Sequence, residues 1–163
     1  MKVQFSKKSR AQAEEIIRRY PQKRAAMLPI LHLAESEFGA VSPEVEVYVG
    51  ELLEVPPVKV HEVMTFYTML ASKLRGKHHF QVCRGLSCDL RGCTKIIDYL
   101  SDQLKLKPGE SSEDLQFTFS TVECLGACET APMMQLNDDY IGDLTEQKIA
   151  DILKKLNSKG NPE

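Results

Sequence analysis

Apolar residues recur every three or four positions through the first 72 residues, which is the spacing of amphipathic helices. This pattern predicts four short helices, over residues 9–20, 24–38, 43–53 and 58–72. Ser42 followed by Pro43 is typical of a helix start, because serine caps the first turn and proline fits the first helical position. Pro29 lies inside the second segment, so we expect a late start or a kink there. The first half of the chain is therefore predicted to be a helical unit.

The period changes after the polar segment KLRGK at residues 73–77. Residues 78–83 and 115–123 alternate between apolar and polar, as half-buried strands do. A change from a helical to an alternating period indicates a second structural unit. We therefore expect a helical domain at residues 1–75 and a second domain at residues 76–163.

The second domain is predicted to mix strands with helices. Between its two main strands we expect one helix, capped by Ser87 or Asp89 and running to about Leu104, with Leu90 facing inward. The pattern also predicts two short strands and a last helix, at residues 132–136, 140–141 and 145–156. This order of elements is typical of a small α/β or α+β sandwich.

Composition argues against a nucleic-acid or membrane role. The net charge is −2, the pI is about 6.1 and the chain has no Trp, whereas binding phosphates demands a basic surface. No apolar run approaches the roughly 18 residues that a membrane span needs. The basic start of the chain lacks the apolar stretch of a signal peptide. We therefore expect a cytoplasmic location, where the five cysteines stay reduced.

Four of the five cysteines form two short-spaced pairs. Cys83 and Cys88 are separated by four residues, and Cys124 and Cys128 by three. Each pair begins at or just after a predicted strand, and loops held by a rigid sheet are a common place for ligands. Thiolates are soft ligands that select zinc or iron–sulfur clusters. The two pairs therefore indicate an inorganic centre.

The spacing leaves four interpretations open: a zinc site, a [2Fe-2S] cluster, a redox dithiol and four unligated thiols. Structural zinc sites more often use two-residue spacers. Thioredoxin-type redox chemistry needs a Cys-x-x-Cys segment, which the chain lacks. A two-iron cluster needs two ligands for each iron, and two pairs meet that requirement. On this interpretation Cys83 and Cys88 bind one iron, and Cys124 and Cys128 bind the other.

The residues beside the pairs fit this chemistry. Gly85 and Gly126 keep bulk away from the thiols and let backbone N–H groups approach sulfur, which tunes a reduction potential. Positive charge near the first pair could stabilise a negatively charged cluster, although a solvated surface explains it equally well. This positive charge is carried by Arg84, Arg91 and Lys95. Cys93 falls on a predicted helix and is expected to be a buried small apolar residue.

Longer strings around the cysteines resemble a known family. VCRGLSC (82–88) and VECLGACETAP (122–132), together with HEVMTFYTML (61–70) and GKHHFQVC (76–83), look like the small [2Fe-2S] subunit of bacterial NADH–quinone oxidoreductases. The resemblance covers about residues 10–157. It implies an α+β fold, in which an N-terminal helical unit is followed by a thioredoxin-like α/β domain that carries a [2Fe-2S] cluster.

The resemblance also implies the site and the function. By position, the ligands of one [2Fe-2S] cluster are Cys83, Cys88, Cys124 and Cys128. The chain would be an electron-transfer subunit of respiratory complex I that exchanges one electron with the FMN of a flavoprotein partner, which also binds NADH. The sequence shows no nucleotide-binding fingerprint and no nucleophile–base arrangement, so we expect no active site on the chain itself. The complex would hold the chain at the inner face of the cytoplasmic membrane without insertion.

Other functions share parts of this pattern. The same motifs occur in diaphorase subunits of NAD-linked hydrogenases and formate dehydrogenases. A free thioredoxin-like ferredoxin is a further alternative, but a diffusing carrier needs no helical docking unit. A zinc-stabilised interaction module is another, and visible absorption distinguishes it from an iron–sulfur protein.

Overall fold

The computed structural model describes residues 3–158 of the chain. The chain divides into two compact units between Leu74 and Arg75. Each unit has its own buried apolar core. Within the described range, none of the helices has the length and apolar character that a bilayer crossing requires.

Four α-helices surround the core of the first unit in the part of the chain that the structure describes. They are α1 (Lys7–Arg18), α2 (Met27–Phe38), α3 (Pro43–Leu53) and α4 (Pro57–Phe66). The Ser42 hydroxyl accepts a hydrogen bond from the Val45 N–H, and Pro43 is the first residue of α3, as the sequence predicts. A 3₁₀ turn at Lys23–Ala26 precedes α2 and leaves Pro29 in its first turn. The late start is therefore confirmed.

The fourth helix is shorter than predicted, because it ends at Phe66 rather than near residue 72. Backbone groups after this helix form hydrogen bonds with other parts of the first unit instead. The N–H of Ala71 donates to the Glu35 carboxylate at 2.8 Å, and its carbonyl accepts the N–H of Val41 at 2.7 Å. Backbone groups that are bonded in this way cannot also continue a helical ladder.

Over its described residues, the second unit is a five-stranded mixed sheet with helices packed against it. The strands are β1 (His78–Cys83), β2 (Glu110–Ser111), β3 (Phe117–Val122), β4 (Met134–Leu136) and β5 (Asp139–Ile141). The helices are α5 (Leu86–Leu90), α6 (Cys93–Leu104) and α7 (Glu146–Ser158). The strand order is β2-β3-β1-β4-β5, and β1 and β3 are parallel whereas the other neighbours are antiparallel.

Two predictions in this unit are wrong. The single helix expected between the main strands is two helices, because Gly92 has a left-handed φ of 84°, which interrupts the helix between α5 and α6. Leu90, which was expected to face inward, is 78% exposed on α5. Strand β2 was not predicted, since its two residues are too few to show an alternating pattern.

Candidate functional site

The first cysteine of each pair lies at the same edge of the sheet. Cys83 is the last residue of β1, and it is in register with Val122, the last residue of β3. The two strands are parallel, so their carboxyl ends meet. The Arg84 N–H donates to the Val122 carbonyl at 2.8 Å and carries the pairing one residue further. Cys124 follows two residues after the end of β3.

Gly85 allows the two cysteine loops to approach each other. A Cβ atom at this position would lie 2.7 Å from the Glu123 carbonyl oxygen, which is too close for any real side chain. It would also lie 3.6 Å from the Cys83 sulfur and 3.7 Å from the Cys124 Cβ. The glycine is therefore placed between the first cysteines of the two pairs, and its missing side chain leaves the space that they share.

The first pair is buried. Cys83 is 4% exposed, and Cys88 is 2% exposed on α5. The backbone of Met133 holds both cysteines, because its carbonyl accepts the Cys83 N–H at 3.1 Å and its backbone also bonds to the Cys88 thiol. Burial, together with the neighbouring Cys83 thiol, raises the pKa of Cys88 to about 11 in the chain without a cluster.

The fifth cysteine belongs to the same buried region. Cys93 is 1% exposed and packs in an apolar cluster with Cys83, Cys88, Ala131 and Met133. Burial is the main cause that raises the pKa of its thiol. The expectation that Cys93 is a buried small residue is confirmed.

The second pair is exposed. Cys124 lies in the loop after β3, and Cys128 begins a 3₁₀ turn that ends at Thr130. Leu125 and Ala127, which lie between the two cysteines, pack against the buried cluster that contains the first pair. The loop therefore rests on the first pair while its own two thiols remain open to solvent.

An ion pair joins the two loops at the surface. Arg84 Nη2 lies 2.6 Å from Glu123 Oε1, and both side chains are more than half exposed. The positive charge of Arg84 is therefore shared with a carboxylate. Arg91 and Lys95 instead line an open pocket with Pro132 and the start of α7.

The donor set fits a two-iron cluster on its chemistry. Within residues 3–158, no group of three or more Cys, His, Asp or Glu side chains is arranged to hold a metal ion, so the match rests on the kind and number of the ligands. A [2Fe-2S] cluster needs two soft ligands at each iron, and two thiol pairs supply them. Cys83 and Cys88 lie in one buried cluster, and Gly85 lies beside both the Cys83 sulfur and the Cys124 Cβ. The Ala131 N–H, from the same cluster, donates to the Cys128 carbonyl at 3.2 Å.

Sequence reasoning missed two residues of this region, Met133 and Tyr140. Met133 bonds to the first pair, and the Tyr140 hydroxyl donates to the carbonyl of Leu125 at 3.0 Å. Neither residue type carries a metal-ligand signal, and both contacts depend on how distant segments pair. No local pattern could have indicated them.

The chain is similar to proteins of one family along most of its length. The family described as "Thioredoxin-like [2Fe-2S] ferredoxin" matches residues 13–157. The E subunit of the NADH-quinone oxidoreductase of Rickettsia conorii (strain ATCC VR-613 / Malish 7) is 46% identical over 155 residues, which are 93% of this chain and 93% of that protein. A corresponding NADH-quinone oxidoreductase subunit of Rhizobium meliloti (strain 1021) is 40% identical over 145 residues, covering 89% and 86% of the two chains.

A solved structure shares the fold. An NAD+-reducing [NiFe]-hydrogenase in the H2-reduced state superposes with a TM-score of 0.71 at 17% identity, covering 83% of this chain and 23% of that chain. At this identity the similarity shows the fold alone. Together, these findings confirm the resemblance predicted from the cysteine strings and the α+β, thioredoxin-like fold that it implies.

Proposed function

The chain belongs to the thioredoxin-like [2Fe-2S] ferredoxin family, and we propose that it exchanges single electrons with the FMN of a flavoprotein partner in an NADH–quinone oxidoreductase. Family membership and the named relatives support the coarser statement directly: the chain is a [2Fe-2S] electron-transfer subunit of an oxidoreductase. The flavin, the NADH site and the partner that holds them are the proposed part.

One observation carries the proposal. The relative from Rickettsia conorii, which is named as a subunit of NADH-quinone oxidoreductase, aligns with 93% of this chain, so the similarity includes the helical unit as well as the cysteine unit. A free carrier would need only the second unit. A helical unit retained beside the cluster supports a protein that is built into a larger complex, which would hold it at the inner face of the cytoplasmic membrane.

We assign the cluster ligands by pair. Cys83 and Cys88 bind one iron, and Cys124 and Cys128 bind the other. When bound, the cluster supplies one-electron redox chemistry. The first pair keeps water away from its side of the site, because both cysteines are less than 5% exposed. The second pair is exposed, so a redox partner can approach from that side.

The test uses the chain in complex with its flavoprotein partner, purified from the native cell. We expect two irons and two sulfides for each chain. We also expect the electron paramagnetic resonance signal of the reduced cluster to follow the NADH/NAD+ ratio in the complex, and not in the isolated chain. A colourless chain with bound zinc, or a cluster that ignores both nucleotides inside the complex, would contradict the proposal.

A Cys124→Ser chain in the same complex is the matched control. It should lose the cluster signal while the flavoprotein still passes electrons from NADH to ferricyanide. Loss of both the cluster signal and the ferricyanide reduction would mean that the substitution disrupts the assembly rather than the cluster.

A further inference from the structure

The loop that carries the second cysteine pair has little regular structure of its own. Between the end of β3 and the start of β4, only the 3₁₀ turn Cys128–Thr130 is regular. Gly126 has a φ of 75°, a conformation that side-chain-bearing residues rarely adopt. A loop of this kind keeps one conformation only when other parts of the protein hold it.

Residues 140–144 fix the cysteine loop through three hydrogen bonds. The Tyr140 hydroxyl donates to the Leu125 carbonyl at 3.0 Å. The Asp143 N–H donates to the Thr130 carbonyl at 2.6 Å, and the Leu144 N–H donates to the Pro132 carbonyl at 2.9 Å. The three acceptors are spread along the loop. The segment that ends β5 and leads into α7 therefore binds the cysteine loop near both of its thiols.

Close packing accompanies these bonds. A Cβ atom at Gly142 would lie 2.2 Å from the Thr130 Cβ and 2.3 Å from its hydroxyl oxygen. Only glycine permits that approach without displacing Thr130. The Thr130 hydroxyl in turn donates to the Ala127 carbonyl at 3.2 Å, so the contact reaches the residue before Cys128.

The bond from Tyr140 differs from the other two, because it is made by a side chain to a peptide group between the two cysteines. A peptide bond is planar and trans, so fixing the Leu125 carbonyl also fixes the direction of the Gly126 N–H. Backbone N–H groups near thiolate ligands tune the potential of an iron–sulfur centre. The hydroxyl thus fixes the orientation of a backbone donor that lies two residues after Cys124 in the chain.

We propose that Tyr140 is a positioning residue for the second cysteine pair: its hydroxyl fixes the peptide between Leu125 and Gly126, and thereby the geometry and potential of the cluster that Cys124 and Cys128 bind. The inference rests on the proposed assignment of these two cysteines as ligands. Tyr140 touches neither the cluster nor a redox partner in this account. It acts through the loop alone.

The test is Tyr140→Phe, which removes only the hydroxyl and keeps the ring on β5. We expect the variant to bind a cluster, to lose it about two- to tenfold faster in the presence of an iron chelator, and to show a shifted reduction potential. The fold-change is the range that one net hydrogen bond supports. A purely structural role for Tyr140 would change stability and leave the potential unmoved.

Tyr99→Phe is the matched control, because Tyr99 packs against the core of the same unit. It should match the wild-type chain in both measurements. A Tyr140→Phe chain that keeps the wild-type potential, or loses its cluster no faster, overturns the inference while leaving the proposed function intact. A wild-type chain that binds no [2Fe-2S] cluster contradicts the proposed function itself, and the two failures are therefore distinguishable.

Discussion

The two cysteine pairs have the same proposed role in very different surroundings. Cys83 ends a central strand and Cys88 lies on a helix, and both are less than 5% exposed. Cys124 and Cys128 are exposed on a loop that is held by hydrogen bonds from residues 140–144. Regular secondary structure places the first pair, whereas tertiary contacts place the second.

This difference separates two properties of a cluster site. The buried pair belongs to the packing of the second unit, so changes there should affect the stability of the protein even without a cluster. The exposed pair contributes little to packing, so changes there should affect the chemistry of the site and not the fold. Substitutions in each pair can therefore test the effect on stability and the effect on the cluster separately.

The largest effect is expected from serine in place of a ligand. Cys88→Ser and Cys124→Ser should both abolish cluster binding, because each removes one of the two soft ligands at an iron. They should differ in the cluster-free protein. Cys88→Ser places a hydroxyl where the side chain is 2% exposed and should lower the free energy of unfolding by about 1–3 kcal/mol. Cys124→Ser should change it by less than about 0.5 kcal/mol. Iron analysis and urea unfolding measure the two effects.

Cys93→Ser is the control for burial without ligation. Cys93 is 1% exposed in the same apolar cluster, so the substitution should destabilise the chain as Cys88→Ser does. It should nevertheless leave the cluster in place. A Cys93→Ser chain without a cluster would mean that packing alone explains the loss in Cys88→Ser.

Thiol reactivity of the cluster-free chain distinguishes the pairs without mutation. With iodoacetamide at pH 8, Cys124 and Cys128 should be alkylated first, because they are exposed. Cys88 should react about a hundredfold more slowly than an ordinary thiol, since its pKa of about 11 leaves very little thiolate and its side chain is buried. Mass spectrometry of peptides at timed intervals measures each rate. Equal rates at all five cysteines would contradict the comparison.

Elements with a local sequence signal were easier to anticipate than the turns between them. Strand β1 lies at the predicted residues 78–83, because alternation is a local signal, and α3 lies at the predicted residues 43–53, because Ser42 and Pro43 mark its start. The break at Gly92 was missed, since the apolar pattern continues across it on both sides. Local apolar patterns reveal helices and strands, but they do not show where the backbone leaves the helical conformation.

The site shows a similar limit. Cysteine spacing indicated the four candidate ligands, and the resemblance named the cluster, but the parallel pairing of β1 with β3 that brings Cys83 near Cys124 is a property of the sheet. The hydrogen bond from Tyr140 to the Leu125 carbonyl joins residues that are 15 positions apart. Contacts of this kind arise from topology, which no short stretch of sequence contains.

The smallest effect on cluster binding is expected where the two loops meet. Gly85→Ala adds a methyl group 2.7 Å from the Glu123 carbonyl oxygen, so the loops must separate. The φ of Gly85 is −62°, which alanine adopts freely, and the cost should therefore come from crowding alone, at roughly 1–3 kcal/mol of unfolding free energy. The cluster should still form but should be lost faster to a chelator, because Cys124 moves away from Cys83.

Gly109→Ala is the contrasting control for this last change. It has a φ of 97° and nothing within 4 Å of an added Cβ, so it strains the backbone without crowding the site. Both variants should lower the unfolding free energy, and only Gly85→Ala should speed cluster loss. If the two variants lose the cluster at the same rate, the approach of the loops does not matter for the site. The buried and exposed pairs would then act independently, which a shared two-iron centre does not allow.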